Sequence, residues 1–353
     1  MHMSDALISP AVGSTLWVIS AGTIAYCSSK IGKESDERKT PMMGVLGAFI
    51  FAAQMINFSI PLTGSSGHLG GGLLLAILLG PHAAFLTISS VLVIQALFFA
   101  DGGLIALGCN IFNLGFFPAF IGYPLIYKPL VNKKSGVSPI VPAAVIAAII
   151  SLQMGAFAVV LETVASGISE LPFTTFISLM QPIHLAIGLV EGVVTAAVIS
   201  FVYKARPDLI RTPFSPATTS GYPVRNIALF FLVVTILTGG VLSWFASKAP
   251  DGLEWSISKV TGKEELKGPE HGIYAAVSKL QDKIAILPDY SFRNTDETVI
   301  NHANFTSKLS TEEKSRLGKS TSGLVGGAMT LALSMLVGFF LRKKTLQTSK
   351  IKP

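Results

Sequence analysis

The chain opens Met1-His2, an arrangement with an immediate chemical meaning. A free α-amine followed directly by histidine offers three nitrogens on consecutive five- and six-membered chelate rings. They are the Met1 amine, the His2 backbone amide once deprotonated, and the His2 ring nitrogen. Nickel(II) and copper(II) favour square-planar nitrogen sets, and imidazole suits this part of the transition series. Because histidine is bulky, methionine aminopeptidase is expected to leave Met1 in place, so the chelate survives processing. The plain alternative is a start codon followed by any polar residue. One further nitrogen in the plane completes a site, and His68 is the candidate. It lies in Gly64-Ser65-Ser66-Gly67-His68-Leu69-Gly70-Gly71-Gly72. Loops this rich in glycine can fold back into a helix bundle, where non-helical backbone is tolerated if it is buried in protein or lines a cavity. A bland surface loop is the competing reading.

Other groups are weaker candidates. Glu162 and Glu191 fall in or near apolar runs, where a carboxylate is a functional suspect by default. Glu162 is close to a span end, whereas Glu191, with Gln181 and His184 on nearby turns, is placed to support the metal from behind its ligands. Cys27 and Cys109 each sit inside an apolar run, so neither a disulfide framework nor a CxxC metal knuckle is available. His82 and His184 adjoin prolines at span ends, on opposite sides of the membrane, and read as structural. His271 and His302 belong to a polar segment and read as solvated. Gly318-Lys319-Ser320-Thr321 lacks the glycine that a phosphate-binding loop needs at 313, where Glu313 stands. No ATP site is visible.

The elements that must position these groups are membrane spans. Half the residues are hydrophobic and only 13% are charged, against about a quarter charged in soluble domains. The surplus of basic residues, +7 overall, lies between long apolar runs, where topology explains it better than nucleic acid. The first run has no basic residue ahead of it, so it does not read as a signal peptide. Apolar runs cover 11–28, 43–60, 71–99, 104–127, 138–163, 183–203, 227–247 and 323–341. The run 71–99 is broken at Gly80-Pro81, since proline removes a backbone donor. Nine crossings follow, with the one after His68 unusually short. Placing Met1 outside puts Lys30, Lys33, Arg38 and Lys39, then Lys128, Lys133 and Lys134, then Lys204, Arg206, Arg211 and Arg225, on the inside. The short loops 61–70, 100–103 and 164–182 carry no Lys or Arg, which is the positive-inside pattern.

The expected fold is therefore an all-α integral membrane protein. A metal-binding core of seven helices spans 1–210, a proline-rich linker 211–226, and a two-helix unit 227–353. The latter holds an outer segment, 248–322, with weak helical periodicity around 271–287. Gly44, Ala48 and Ala52 recur every four residues on the second span, a flat strip where another helix backbone can approach closely. It reads either as a docking face or as ordinary packing inside the bundle.

Four stretches together resemble a known family: Met1-His-Met-Ser-Asp-Ala-Leu-Ile-Ser-Pro10, the His68 loop, Asp101-Gly-Gly-Leu-Ile-Ala-Leu-Gly-Cys-Asn-Ile-Phe-Asn-Leu-Gly115, and Pro250-Asp-Gly-Leu-Glu-Trp-Ser256. The chain is similar to the substrate-binding M component of energy-coupling-factor nickel/cobalt transporters, fused to the small N component. The resemblance implies an S-component-like seven-helix core whose N-terminus tucks into the bundle and binds Ni2+ or Co2+ through the Met1 amine, the His2 amide and ring, and the His68 ring. It implies a transmembrane scaffold (T) subunit and two cytoplasmic ABC-type ATPase subunits as partners, the scaffold meeting the Gly44, Ala48, Ala52 strip. The chain itself is then no enzyme, sits in the cell membrane with its C-terminus cytoplasmic, and serves uses such as cobalamin synthesis or a nickel enzyme. Cys109 stands where a small residue such as alanine is expected, and a thiol near the site could alter metal preference. Two other classes compete. A stand-alone secondary transporter or channel would want several mid-membrane ionisable groups and two related halves. A membrane metalloenzyme would want an open coordination position with an acid or base nearby.

Overall fold

The computed structural model describes residues 2–32, 38–132, 139–210, 223–266, 268–269, 271–293 and 311–349. Met1, His302, most of the 211–226 linker and residues 294–310 of the outer segment lie outside the described residues.

The protein is a helical membrane bundle, as its hydropathy requires. Helix α1 (Pro10–Ile31) starts where Ser9 Oγ accepts the Val12 N–H at 3.4 Å and Pro10 fills the first turn, whose amide has no helical partner anyway. One of its faces is sheathed for lipid by exposed Val18, Ile19 and Tyr26. The opposite face is tied to the bundle, with Ser20 donating to the Gly108 carbonyl at 2.7 Å and Trp17 Nε1 to the Leu104 carbonyl at 2.9 Å. Helix α2 (Lys39–Gln54) is buried along nearly its whole length. A two-stranded antiparallel hairpin follows, β1 (Phe58–Ile60) and β2 (Ser65–Gly67), which the all-helical expectation did not include.

The apolar run after it divides as the proline predicts, into α3 (Gly72–Leu79) and α4 (Pro81–Phe99). Eight residues at 1.5 Å each make α3 roughly 12 Å long, well short of the ~30 Å hydrocarbon core. Helix α5 (Leu107–Val131) is wound wider than an α-helix between Phe112 and Tyr127, around Pro118 and Pro124, which cannot donate. Helices α6 (Ile140–Ser166) and α7 (Phe173–Ala205) pack as a long pair. Helix α8 (Val224–Gly240), two short helices α9 (Gly252–Thr261) and α10 (Gly272–Ile284), and α11 (Thr311–Ser349) complete the described chain. Among the described residues six helices, α1, α4, α5, α6, α7 and α11, are long and apolar enough to cross a membrane; α8 is apolar but shorter.

The strip on α2 corrects one expectation. Gly44, Ala48 and Ala52 are buried, and what covers them is this chain's own α11. A Cβ on Gly44 would lie 2.4 Å from Met335 Cγ and 3.0 Å from the Leu331 carbonyl. The small residues do admit a close helix, but α11 answers them with small residues of its own, including Gly327, Thr330 and Ser334, and leaves no open docking face there.

The loops at one end of the bundle are woven together. The Ile286 and Leu287 amides donate to the Phe98 carbonyl at 2.9 and 3.2 Å, Ser247 N–H to Asn57 at 2.7 Å, and Tyr274 OH to Ile8 at 3.0 Å. The hairpin, the 100–106 turn, the N-terminal segment and the 247–293 region thus form one cap. Replacing Gly44 by leucine should overpack the α2/α11 contact and destabilise the full chain by about 1–3 kcal/mol. Thermal unfolding of the detergent-solubilised protein measures this, with Val18→Leu on the exposed face of α1 as a neutral reference.

Candidate metal centre

The N-terminal segment enters the cap as extended chain, and each of its backbone groups must find a partner once water is excluded. Asn110, on the first turn of α5, supplies both for Met3: its Oδ1 accepts the Met3 N–H at 2.8 Å and its Nδ2 donates to the Met3 carbonyl at 3.2 Å. Gly103 N–H reaches the same carbonyl at 2.9 Å. Two residues on, the Asp5 carboxylate accepts the Ile105 and Ala106 amides at 2.8 and 3.0 Å, capping the turn that leads into α5. Met3, Leu7 and Ile8 are fully buried as a result. Beneath Met3, Asn113 Nδ2 donates to Glu162 at 2.8 Å and faces the Met3 sulfur at 3.9 Å. The Cys109 thiol lies beside the Glu162 carboxylate. Cys109 and Glu162 therefore belong to the floor under Met3.

The His68 loop is held by different means. Glu191, buried on α7, accepts the Gly70 and Gly71 amides at 2.9 and 3.0 Å. Gln54 Nε2 donates to the Gly70 carbonyl at 2.9 Å and is itself oriented by Gln95 at 2.8 Å. Glu191 is a positioning residue for the loop. His68 Nδ1 lies 3.1 Å from the Leu69 carbonyl, an N–H contact that puts the ring lone pair on Nε2. Burial pushes this imidazole down to about 3, so it is neutral at physiological pH, the form that ligates metal.

These two supports bring the His2 and His68 rings side by side, nearly parallel, with centroids 5.1 Å apart and planes inclined by 6°. His2 Nδ1 is 3.1 Å from Asp101 Oδ1, and Tyr290 OH donates to the other oxygen of that carboxylate. Against burial, which raises it, the charge and hydrogen bond of His2 and the Tyr290 hydroxyl hold Asp101 well below the usual carboxylate range. His2 Nε2 is buried and has no hydrogen-bond partner among the described residues.

A third element closes over the hairpin. Ser66 donates its N–H to the Pro250 carbonyl at 2.8 Å and its hydroxyl to the Ala249 carbonyl at 2.7 Å. Asp251 caps α9, accepting the Leu253 and Glu254 amides at 2.8 and 2.9 Å, while Glu254 returns to the Asp251 N–H at 2.9 Å. Between them Gly252 lies so close to α7 that a Cβ would fall 2.6 Å from Ile183 and 3.1 Å from the His184 ring. His68, His184 and Asp251 consequently share the lining of one small cleft. His184 Nδ1 is 2.7 Å from the Met180 carbonyl, and its Nε2 is buried without a hydrogen-bond partner among the described residues.

Of the residues singled out from sequence, His2 and His68 meet, His184 adjoins His68, Glu191 grips the loop, and Cys109 lies under Met3. Met1 is outside the described residues. Asp101, Asn110, Asn113 and Tyr290 were not identified as parts of the site. Asp101 and Asn110 sit in the Asp101–Gly115 stretch, but nothing local in that stretch marks their partners, which lie about a hundred or more positions away.

Known proteins resemble this chain along most of its length. Residues 2–209 match the family profile described as cobalt uptake substrate-specific transmembrane region, and 225–343 match the PDGLE domain. A putative metal transport protein of Haloquadratum walsbyi is 37% identical over 220 residues, 62% of this chain and 98% of that protein. A putative fused nickel transport protein of Archaeoglobus fulgidus is 35% identical over 216 residues, 61% of this chain and 70% of that one. A fused nickel transport protein of Rhodobacter capsulatus is 27% identical over 321 residues, covering 82% and 88%. Among solved structures, a truncated transition metal transporter superposes with a TM-score of 0.52 at 29% identity, covering 58% of this chain and 99% of that one.

Because each hydrogen bond to a charged acceptor contributes about 1.5–3 kcal/mol, Glu191→Ala should release the His68 loop. Amide hydrogen exchange at Gly70 and Gly71 is expected to rise at least tenfold, with a smaller rise in Glu191→Gln.

Proposed function

Since the chain belongs to the family of cobalt-uptake substrate-specific transmembrane proteins and carries a PDGLE domain, we propose that it is the metal-capturing subunit of an ATP-driven importer for Ni2+ or Co2+. It is a cobalt/nickel transport component of that type, embedded in the membrane through its apolar helices. The finer reading is a four-nitrogen plane built from the Met1 amine, the His2 amide and ring, and His68.

The observation that carries this reading is the pairing of the His2 and His68 rings at the end of a segment whose backbone is locked by Asn110 and Asp5. Imidazole nitrogens suit this part of the series, and a planar nitrogen set selects nickel over oxygen-seeking ions. The six-membered chelate ring closes through His2 Nδ1, the nitrogen that faces Asp101. A cation captured there therefore takes over a position already lying in the field of a carboxylate, which offsets part of the cost of burying a divalent charge. Asp101 in turn is fixed by Tyr290 from the PDGLE domain. Glu191 and His184 act behind the ligands, by setting the loop and by closing the cleft beside His68. Glu162 accepts a hydrogen bond from Asn113, which favours support of Met3 over a proton relay and so disfavours a stand-alone secondary transporter.

In this proposal residues 1–210 form the metal-binding core, 211–226 a linker, and 227–353 the fused N-component unit. The end bearing the woven cap faces outward, the C-terminus is cytoplasmic, and a scaffold subunit with two ATPase subunits supplies coupling and hydrolysis. With α11 over the α2 strip, that scaffold docks elsewhere or displaces α11.

The test is the metal content of the purified full chain after exposure to equimolar nickel, cobalt, copper and zinc. The native protein is expected to retain about one nickel or cobalt per chain. A variant with one residue inserted before Met1, and the variants His2→Ala and His68→Ala, should each lose it by more than the factor of about ten to a hundred that removing a partner behind the ligands costs. Full retention by the extended variant would sink the N-terminal chelate.

A further inference from the structure

The short loops 61–70, 100–103 and 164–182 at the cap end of the bundle carry no Lys or Arg. Cations do gather at that end in one place, where α8 and α11 leave the apolar layer: Lys248, Arg316 and Lys319. The height of this cluster follows from the charge pattern of α11. Between Lys319 and Arg342 the run 320–341 holds no charged residue. At 1.5 Å per residue it is about 33 Å long, against a hydrocarbon core of ~30 Å. Lys319 therefore stands at the edge of the hydrocarbon, and Arg316, three residues further out, stands among the headgroups. Helix α8 reaches the same level beside it, because Gly239 and Gly323 let the two backbones cross; a Cβ on Gly239 would lie 3.1 Å from Gly323 Cα.

Just beyond the crossing, Trp244 donates its Nε1–H to Ser320 Oγ at 2.7 Å, and the Arg316 guanidinium lies 5.8 Å from the centre of the same indole ring. Lys319 is half-buried, and the charge of exposed Lys248 acts on it. None of the three cations has a carboxylate partner among the described residues. Like charges held near one another without a counter-charge repel, and an anion between them turns that repulsion into attraction. The flank of the cluster is apolar: Val241, Leu242, Phe245, Leu317 and Leu324 are all exposed, Phe245 by 78%. The occupant must therefore bring a negative charge to headgroup height and apolar chains to the flank below it. A phospholipid meets both conditions, with an indole at the boundary and basic side chains reaching up to the phosphate. A free anion leaves the apolar flank uncovered.

We propose that Lys248, Arg316 and Lys319, gathered around Trp244, hold the headgroup of an anionic phospholipid, and that this lipid braces the segment closing over the His68 hairpin. Lys248 directly precedes Ala249 and Pro250, whose carbonyls accept the Ser66 hydroxyl at 2.7 Å and the Ser66 amide at 2.8 Å. A lipid bound at Lys248 fixes the chain one residue before it meets the hairpin. The bilayer thereby becomes one wall of the cap.

The experiment places the full chain in nanodiscs of equal parts phosphatidylglycerol and phosphatidylcholine and counts the lipids it retains by native mass spectrometry. Each basic residue near an anionic surface favours it by about fivefold, so the native chain should retain phosphatidylglycerol over phosphatidylcholine by at least about tenfold. Lys248→Gln/Arg316→Gln/Lys319→Gln should fall below about threefold, and the exposed single change Lys248→Gln, which is the least able to disturb folding, should lower the preference by about two- to fivefold. Lys248→Arg/Lys319→Arg, which keeps the charges, should behave as native. So should Lys263→Gln/Lys279→Gln/Lys283→Gln, which removes as many charges elsewhere in the cap. Amide exchange at Ser66 should be slower in phosphatidylglycerol than in phosphatidylcholine discs, with the difference gone in the first triple variant. Equal retention of both lipids by the native chain, a preference untouched by Lys248→Gln, or an equal loss in the second triple variant overturns the lipid site. Displacement of the lipid by excess inorganic phosphate overturns it as well, in favour of a free-anion site. Ser66 exchange that ignores the lipid overturns the bracing.

Discussion

Everything in the cap depends on how an extended peptide is kept inside a protein without water. An α-helix satisfies its own amides, but residues 2–8 do not form one beyond a single turn, so every buried amide and carbonyl must be met from elsewhere. Asn110 does this for Met3 with both ends of one side-chain amide, and Asp5 repays the arrangement by capping residues 105 and 106. The exchange is reciprocal: the N-terminal segment stabilises the turn that stabilises it. Once Met3 is fixed, His2 has little freedom left, and its ring is set against His68 and Asp101.

The second constraint is that the His68 loop is glycine-rich and cannot hold itself. Its order is borrowed from a carboxylate on α7 and a glutamine on α2, both buried among apolar helices where their hydrogen bonds are not contested by water. A rigid frame of helices thus specifies two irregular segments, and the irregular segments carry the chemistry. The PDGLE motif adds a lid whose fit is steric as much as polar, because Gly252 admits Ile183 at a distance that a Cβ would forbid and His184 at one that it would crowd.

Much of the frame was legible in sequence. Hydropathy marked the six long apolar helices found among the described residues but not the full count of nine crossings, because three of the apolar runs form helices shorter than a span; proline marked the division at Gly80-Pro81, and the weak periodicity near 271–287 corresponds to Gly272–Ile284. The chemistry of Met1-His2 and the glycine setting of His68 singled out two rings that the fold places together. What sequence could not supply was pairing across distance. Glu191 looked like a support for the metal, yet its partners are two loop amides 120 and 121 positions away. Asp101, Asn110 and Tyr290 carry no local signal, since an Asp-Gly-Gly turn, an asparagine in an apolar helix and a lone tyrosine are each common. The Gly44, Ala48, Ala52 strip correctly announced a close helix, but periodicity cannot say whether that helix belongs to the same chain. The hairpin at 58–67 was missed because three-residue strands are too short to show alternation.

The contact between Tyr274 and Ile8 joins residues 266 positions apart, and it has a temporal meaning. At about 5–20 residues per second of synthesis, the opening segment emerges roughly 10–50 s before the residues that seal it. Those residues must also have reached the same face of the membrane. A segment made early is therefore among the last to be enclosed, and the polypeptide matures from its helices inward to residues 2–8. Fusing the sealing unit to the core keeps it tethered nearby at that moment, where a separate subunit would have to arrive by diffusion.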